Sequence, residues 1–173
     1  AVQACVEGHG AEAFLAHLRN LVCRNLGGCP APWHSFLAVQ GLQTLTLRMQ
    51  QHCENARKLT TWLAAHRDVT CMNYTGLASS PYHQCVKDMF AGNGGALLTF
   101  CLGSRVRAWR FLDSVRLAKQ AANLGDVHTL VIHPASTIFH SYDAETQKRM
   151  GVTEDMIRVS VGVEPWLALK QDF

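Results

Sequence analysis

Nine apolar residues, Phe36, Val39, Leu42, Leu45, Met49, Cys53, Ala56, Leu59 and Leu63, recur every three or four positions and so share one face of a helix. No other pattern in the chain restricts its fold so strongly. A proline knuckle, Cys29-Pro30-Ala31-Pro32, opens the run, and Pro32 suits a first helical position, where an N–H would have no partner anyway. The periodicity predicts one helix from there to about His66. Ordinary globular helices run ~8–20 residues, so a helix of this length reads as a spine linking parts of a larger protein. Gly41 costs about 1 kcal/mol of helicity relative to Ala, which points to close packing there.

Residues 11–24 carry a shorter helical period that Gly27-Gly28 should end. From residue 67 onward the pattern alternates. Strands are expected at 69–74, 96–102, 128–132 and 156–163, and helices at 81–90, 105–115, 143–150 and 165–173. This is an α/β layer, one sheet covered by helices. The chain therefore divides into a helical connecting region, 1–66, and a small α/β domain, 67–173.

The 173 residues suffice for one core and not for two independent domains. A net charge of +3 with no basic cluster argues against nucleic acid as a partner. No apolar run approaches the ~20 residues of a membrane span, and no signal pattern opens the chain. Because the first residue is Ala1, a fragment or processed product is expected. The seven cysteines form an odd set without a Cys-x-x-Cys pair, which reads as reduced thiols, several of them buried, in a cytoplasmic protein. Nine histidines do not supply the ligand spacing of a zinc site, and no metal is expected.

The most informative strand is 156–163. Alternation places Ile157, Val159, Val161 and Val163 on one face and Arg158, Ser160 and Gly162 on the other. An arginine inside an otherwise apolar strand requires an anion, and its planar fork suits a carboxylate. That anion is either an internal Asp or Glu or the carboxylate of a ligand. Two loops at strand ends add polar groups: Ala122-Asn123-Leu124-Gly125-Asp126, and His133-Pro134-Ala135-Ser136-Thr137. With Arg158 they form a plausible pocket rim. No glycine-rich phosphate loop and no Gly-x-Ser-x-Gly elbow is present, and no order of Cys, His and Asp picks out a nucleophile and base.

These segments resemble the C-terminal part of the Cys/Met-metabolism family of pyridoxal-phosphate enzymes. The blocks that carry the resemblance run in order along the chain. They begin with Asn25-Leu26-Gly27-Gly28-Cys29, residues 40–49 (QGLQTLTLRM) and His52-Cys53-Glu54-Asn55-Ala56. They continue with Asn73-Tyr74-Thr75-Gly76-Leu77, the Asn123 loop, residues 130–137 (LVIHPAST) and residues 157–164 (IRVSVGVE). The Asn-x-Gly-Asp loop is similar to the O-acetylhomoserine sulfhydrylase branch, where cystathionine lyases and synthases usually show Ser-Leu-Gly-Gly.

The resemblance implies a long connecting helix followed by the small C-terminal α/β domain of a fold-type-I transferase. It implies that Arg158 binds the substrate's α-carboxylate and that Asn123 lies beside it. It further implies an amino-acid substrate, γ-replacement on an O-acylated homoserine with sulfide or another nucleophile, pyridoxal 5'-phosphate as cofactor, and a homotetramer. The family's Schiff-base lysine stands in a Ser-x-x-Lys setting that none of Lys58, Lys87, Lys119, Lys148 and Lys170 shares, so the cofactor domain is expected to precede this sequence. No catalytic or cofactor-binding residue is therefore assigned here, and the chain alone is expected to be inactive. A truncated, non-catalytic paralogue or partner subunit is the alternative. The sequence departs from the family pattern at Ala31-Pro32-Trp33-His34, at Lys119-Gln120 and at Ile138-Phe139, where a hydroxyl residue usually follows the His-Pro-Ala-Ser-Thr run.

Overall fold

The computed structural model describes residues 2–173, with side chains from Val6 onward, so the Cys5 thiol lies outside the described side chains. Contacts divide the chain into Ala1–Thr44 and Leu45–Phe173. The first unit contains α1 (Val2–His9), α2 (Ala13–His17), a π-helical stretch (Leu18–Cys23), α3 (Arg24–Leu26) and α4 (Pro32–Gln43). Gly27 ends α3 at φ 68°, and its N–H donates to the Cys23 carbonyl at 2.9 Å, as the paired glycines implied. Pro32 takes the first turn of α4 behind an extended Ala31. Close packing at Gly41 does not occur: a Cβ built there would meet no neighbouring atom within 4 Å.

The helical run expected to be continuous to His66 forms in two pieces. Thr44 leaves the helical region (φ −107°, ψ 7°), and α5 (Leu45–Ala64) starts afresh after it. Thr44 and Thr46 are β-branched and crowd the preceding turn. Apolar spacing records which side chains share a face and does not register a break of one residue.

In Leu45–Phe173, α5 is followed by β1 (Cys71–Asn73), α6 (His83–Phe90), β2 (Leu97–Cys101), α7 (Arg105–Ser114) and β3 (Lys119–Gln120). Then come β4 (Leu130–Ile132), α8 (Ala144–Arg149), β5 (Met156–Ser160) and α9 (Trp166–Asp172). The sheet order is β1-β2-β5-β4-β3, antiparallel except for the parallel β3–β4 pair. Every strand and helix expected after residue 67 is present, with ends trimmed by a few residues. The additions are β3, two residues with no apolar alternation to announce them, and a single 3-10 turn at Pro134–Ser136.

The core lies on one face of this sheet. Leu98, Phe100, Val131, Ile157 and Val159 pack there against Ala56, Leu59 and Leu63 of α5, Ala108 and Leu112 of α7 and Leu169 of α9. Polar ties then fix α5 across the exit of β5. The His52 Nδ1–H donates to the Val161 carbonyl (2.6 Å), and the Asn55 amide donates to the carbonyls of Gly162 (3.0 Å) and Glu164 (2.8 Å). Glu164 accepts the Thr129 N–H (2.5 Å) and hydroxyl (2.8 Å), while the Thr129 Oγ1 accepts the Gly162 N–H (2.8 Å). Gly162 sits inside this clasp, where a Cβ would collide with Glu164, the Val127 carbonyl and the His128 backbone. The His52 to Ala56 and Gly162 to Glu164 blocks are thus mutual partners that hold helix to sheet.

The expectation that all thiols are reduced is overturned for one pair, Cys71–Cys101, which forms a disulfide between β1 and β2. Of the free cysteines among the described side chains, Cys23, Cys29 and Cys85 are exposed and Cys53 is buried. Among the described residues no group of three His, Cys, Asp or Glu side chains is placed to hold a metal ion. Among the described residues no helix is long and apolar enough to cross a membrane.

Candidate functional site

Strand β5 is central, and its alternation separates two environments. Ile157, Val159 and Val161 are fully buried on the helical side, whereas Arg158 is half-buried on the other face, which the core cluster does not reach. In register, Thr99 of β2 and Ile132 of β4 flank Arg158 on either side. Thr99 was not anticipated, although a lone hydroxyl residue in the apolar run of β2 could have signalled it. Ser160, two residues beyond on the same face, is buried and its Oγ has no hydrogen-bond partner.

An internal ion pair would have explained Arg158, and the structure excludes it among the described residues. No carboxylate and no side-chain hydrogen bond meets the guanidinium. The nearest acids along the chain are all engaged elsewhere. Glu154 pairs with Arg105 (3.2 Å), which stacks over Trp109 with its carbon 4.3 Å from the ring centre. Asp155 accepts the Gly103 N–H (2.9 Å) and the Thr153 hydroxyl (2.7 Å). Glu164 is committed to Thr129. Arg158 is left with a planar, bidentate donor surface half out of solvent, a geometry that suits a carboxylate better than a spherical anion.

The two polar loops meet in one cleft of about 320 Å³, whose walls include Ala122, Gln120, His133, Ser136, Thr137 and Trp109. Arg158 does not line this cleft. The parallel pairing of β3 with β4 makes both loops leave the sheet at the end where Ile132 meets Arg158. Asn123 is exposed, and its Oδ1 accepts the Leu124 N–H (2.9 Å). No hydrogen bond joins Asn123 to Arg158. Most of the His133–Thr137 polar groups serve the loop itself. His133 is buried, its Nε2–H donating to the Glu154 carbonyl (2.8 Å) and its Nδ1 accepting from the Ser136 N–H and hydroxyl. The Thr137 hydroxyl donates to the His133 carbonyl (2.8 Å).

On the other side of the sheet, β1 runs into a glycine-supported corner. The Tyr74 hydroxyl donates to the Gly95 carbonyl (3.0 Å), and burial pushes its pKa up to about 12. Gly76 and Gly94 are required there, because a Cβ on either would collide with the Tyr74 ring. An apolar groove of about 720 Å³ lies alongside, walled by Leu45, Met49, Tyr82, Val86 and Phe90.

A sheet shielded on one side by three helices, with an arginine that meets no internal carboxylate on the other, defines a small α/β module. The family model for Cys/Met metabolism PLP-dependent enzymes matches residues 4–173, and the chain belongs to that family. It is 38% identical over 156 residues to an O-acetyl-L-homoserine sulfhydrylase of Corynebacterium glutamicum, covering 90% of this chain and 36% of that protein. It is 36% identical over 169 residues to a homocysteine/cysteine synthase of Saccharomyces cerevisiae, covering 91% and 38%. A Campylobacter jejuni structure described as an O-acetylhomoserine (thiol)-lyase, carrying N'-pyridoxyl-lysine-5'-monophosphate, superposes with a TM-score of 0.86. That match has 36% identity and covers 92% of this chain and 38% of that one. The chain thus spans a little over a third of the length of the curated relatives it matches.

The family depends on pyridoxal phosphate, and the residues present here do not fit its attachment. A Schiff-base lysine needs a desolvated or otherwise tuned site. Lys87, Lys119, Lys148 and Lys170 are exposed, and Lys58 pairs with Glu54 across one helical turn (2.6 Å). None lines either of the two cavities described above.

Proposed function

We propose that this chain supplies the substrate-carboxylate side of a sulfhydrylase-type transferase, one that performs γ-replacement on O-acetyl-L-homoserine with sulfide or another nucleophile. The observation that carries the reading is the half-buried Arg158 without a partner, on the sheet face away from the core. In this role the guanidinium pairs with the α-carboxylate of the amino acid, and Asn123 at the adjoining loop borders the same group. Residues 67–173 then carry the carboxylate-binding sheet, residues 1–66 connect it, and a cofactor-binding part lies outside this sequence. A cytoplasmic homotetramer accompanies the reading through the same family resemblance.

The test is made on the holoenzyme that contains this chain. Arg158→Ala should lower kcat/KM for O-acetylhomoserine by about 2–5 kcal/mol, the cost of an unpaired carboxylate, and Arg158→Lys should recover part of it. An unchanged kcat/KM would overturn the assignment. A second reading, a non-catalytic paralogue or partner subunit, is favoured by the surface placement of all five lysines. It requires that the chain alone, mixed with pyridoxal phosphate and treated with borohydride, retains no cofactor on a single defined lysine.

A further inference from the structure

We propose that Cys71–Cys101 is a site of reversible thiol–disulfide exchange with small-molecule thiols, entered from the Cys71 side. The two residues are register partners on β1 and β2, joined by a disulfide with their Cα atoms 5.0 Å apart. Their environments differ: Cys71 is exposed, whereas Cys101 is 5% exposed. Of the two residues, Cys71 is therefore the one open to a thiolate from solvent.

A reduced Cys101 finds a hydrogen-bond acceptor already in place. The Thr153 hydroxyl lies 3.8 Å from the Cys101 sulfur and donates its own proton to Asp155 (2.7 Å). Its lone pairs are then free to accept the S–H of a reduced Cys101. The placement gives the bond a consequence. By strand alternation Cys101 shares the sheet face of Thr99 and Arg158, since Leu98 and Phe100 occupy the core side. The Cys71–Cys101–Met156 row and the Asn73–Thr99–Arg158 row are neighbours on that face, about 7 Å apart at strand spacing. The disulfide thus fastens a three-residue edge strand next to the arginine row.

In the exchange, a small thiolate attacks Cys71 Sγ, the S–S bond breaks, and Cys101 leaves as a thiolate that takes a proton from water. A second small thiolate attacks the mixed disulfide, releases Cys71 and leaves as the small-molecule disulfide. Two electrons pass from the two small thiols to the protein. Closure is the same sequence reversed, with the Cys101 thiolate attacking the mixed disulfide on Cys71.

The experiment equilibrates the folded protein that contains this chain in mixtures of reduced and oxidised glutathione, then quenches, alkylates and maps peptides by mass. Cys71 and Cys101 should gain and lose protection together, as one pair, with a midpoint inside the range of mixtures. Cys101→Ser should accumulate a glutathione adduct at Cys71, and Cys71→Ser should leave Cys101 unmodified while folded. A bond that persists in fully reduced glutathione, a pair that stays reduced in fully oxidised glutathione, or equal modification of Cys101 and Cys71 would each overturn the proposal. The wild-type titration decides by itself should either variant fail to fold.

Discussion

Residues Ala1–Thr44 and Leu45–Phe173 both carry apolar helical stripes, yet among the described residues the first set buries only Ala13, whereas the second builds a core. Phe14, Leu26 and Trp33 are 74%, 80% and 65% exposed, and α4 has no buried residue. Ala56 and Leu59 of α5, by contrast, are at 0%, and Leu63 is at 3%. The difference lies in what faces the helix. A helical stripe becomes a core only when a second layer meets it, and here that layer is the five-stranded sheet. Sequence spacing makes both stripes alike, and tertiary structure separates them.

The comparison can be broken first where the effect should be largest. Leu59→Ala removes a fully buried side chain between α5 and the sheet and should cost about 2–5 kcal/mol in chemical denaturation of the chain. A loss below about 1 kcal/mol would mean that the second unit is packed no better than the first. Gly162→Ala drives a methyl into the Glu164–Thr129 clasp and should cost about 1–3 kcal/mol, read from the same denaturation curves.

A smaller effect is expected at the C-terminal anchor. Asp172 accepts the N–H groups of Arg116 (2.7 Å), Leu117 and Ala118 (both 2.9 Å). Burial by itself pushes its carboxyl up, but the three N–H donors and the nearby Arg116 charge outweigh it and hold the carboxyl below its ordinary value. A depressed pKa in the folded state gives a contribution that is present above the unfolded value of about 3.9 and is lost as pH falls through the folded one. Asp172→Asn should therefore lower stability by about 1 kcal/mol at pH 7, with the gap to wild type closing below about pH 4. A gap that stays constant with pH would assign the anchor to shape alone. Smallest of all, Trp33→Ala in the first unit should stay within about 0.5 kcal/mol of wild type in the same measurement. A large loss there would show that α4 is covered in solution.

Much of the second unit was legible because its central strand, β5, alternates. The side chains of 156–163 told their two faces apart, and in the first unit Gly27 and Pro32 marked helix ends through backbone properties that no neighbour can alter. Three features were not legible. The break at Thr44 involves one residue and leaves the apolar spacing intact. Strand β3 is Lys119-Gln120, whose pairing with β4 comes from position and not from pattern. The Cys71–Cys101 bond joins residues 30 apart in sequence that become neighbours only through strand register.

Arg158 divides the two sources of information most sharply. By itself the sequence determined that a guanidinium interrupts a buried strand and therefore needs an anion, because desolvating a lone charge is costly. It could not say which anion, since Glu154, Asp155 and Glu164 all lie within six residues. In the tertiary structure each of those carboxylates meets another donor: Arg105, the Gly103 N–H and Thr129. Charge and spacing are local properties and can be read along the chain. Which donor meets which acceptor depends on contacts between strands and loops, and those are set only when the sheet closes.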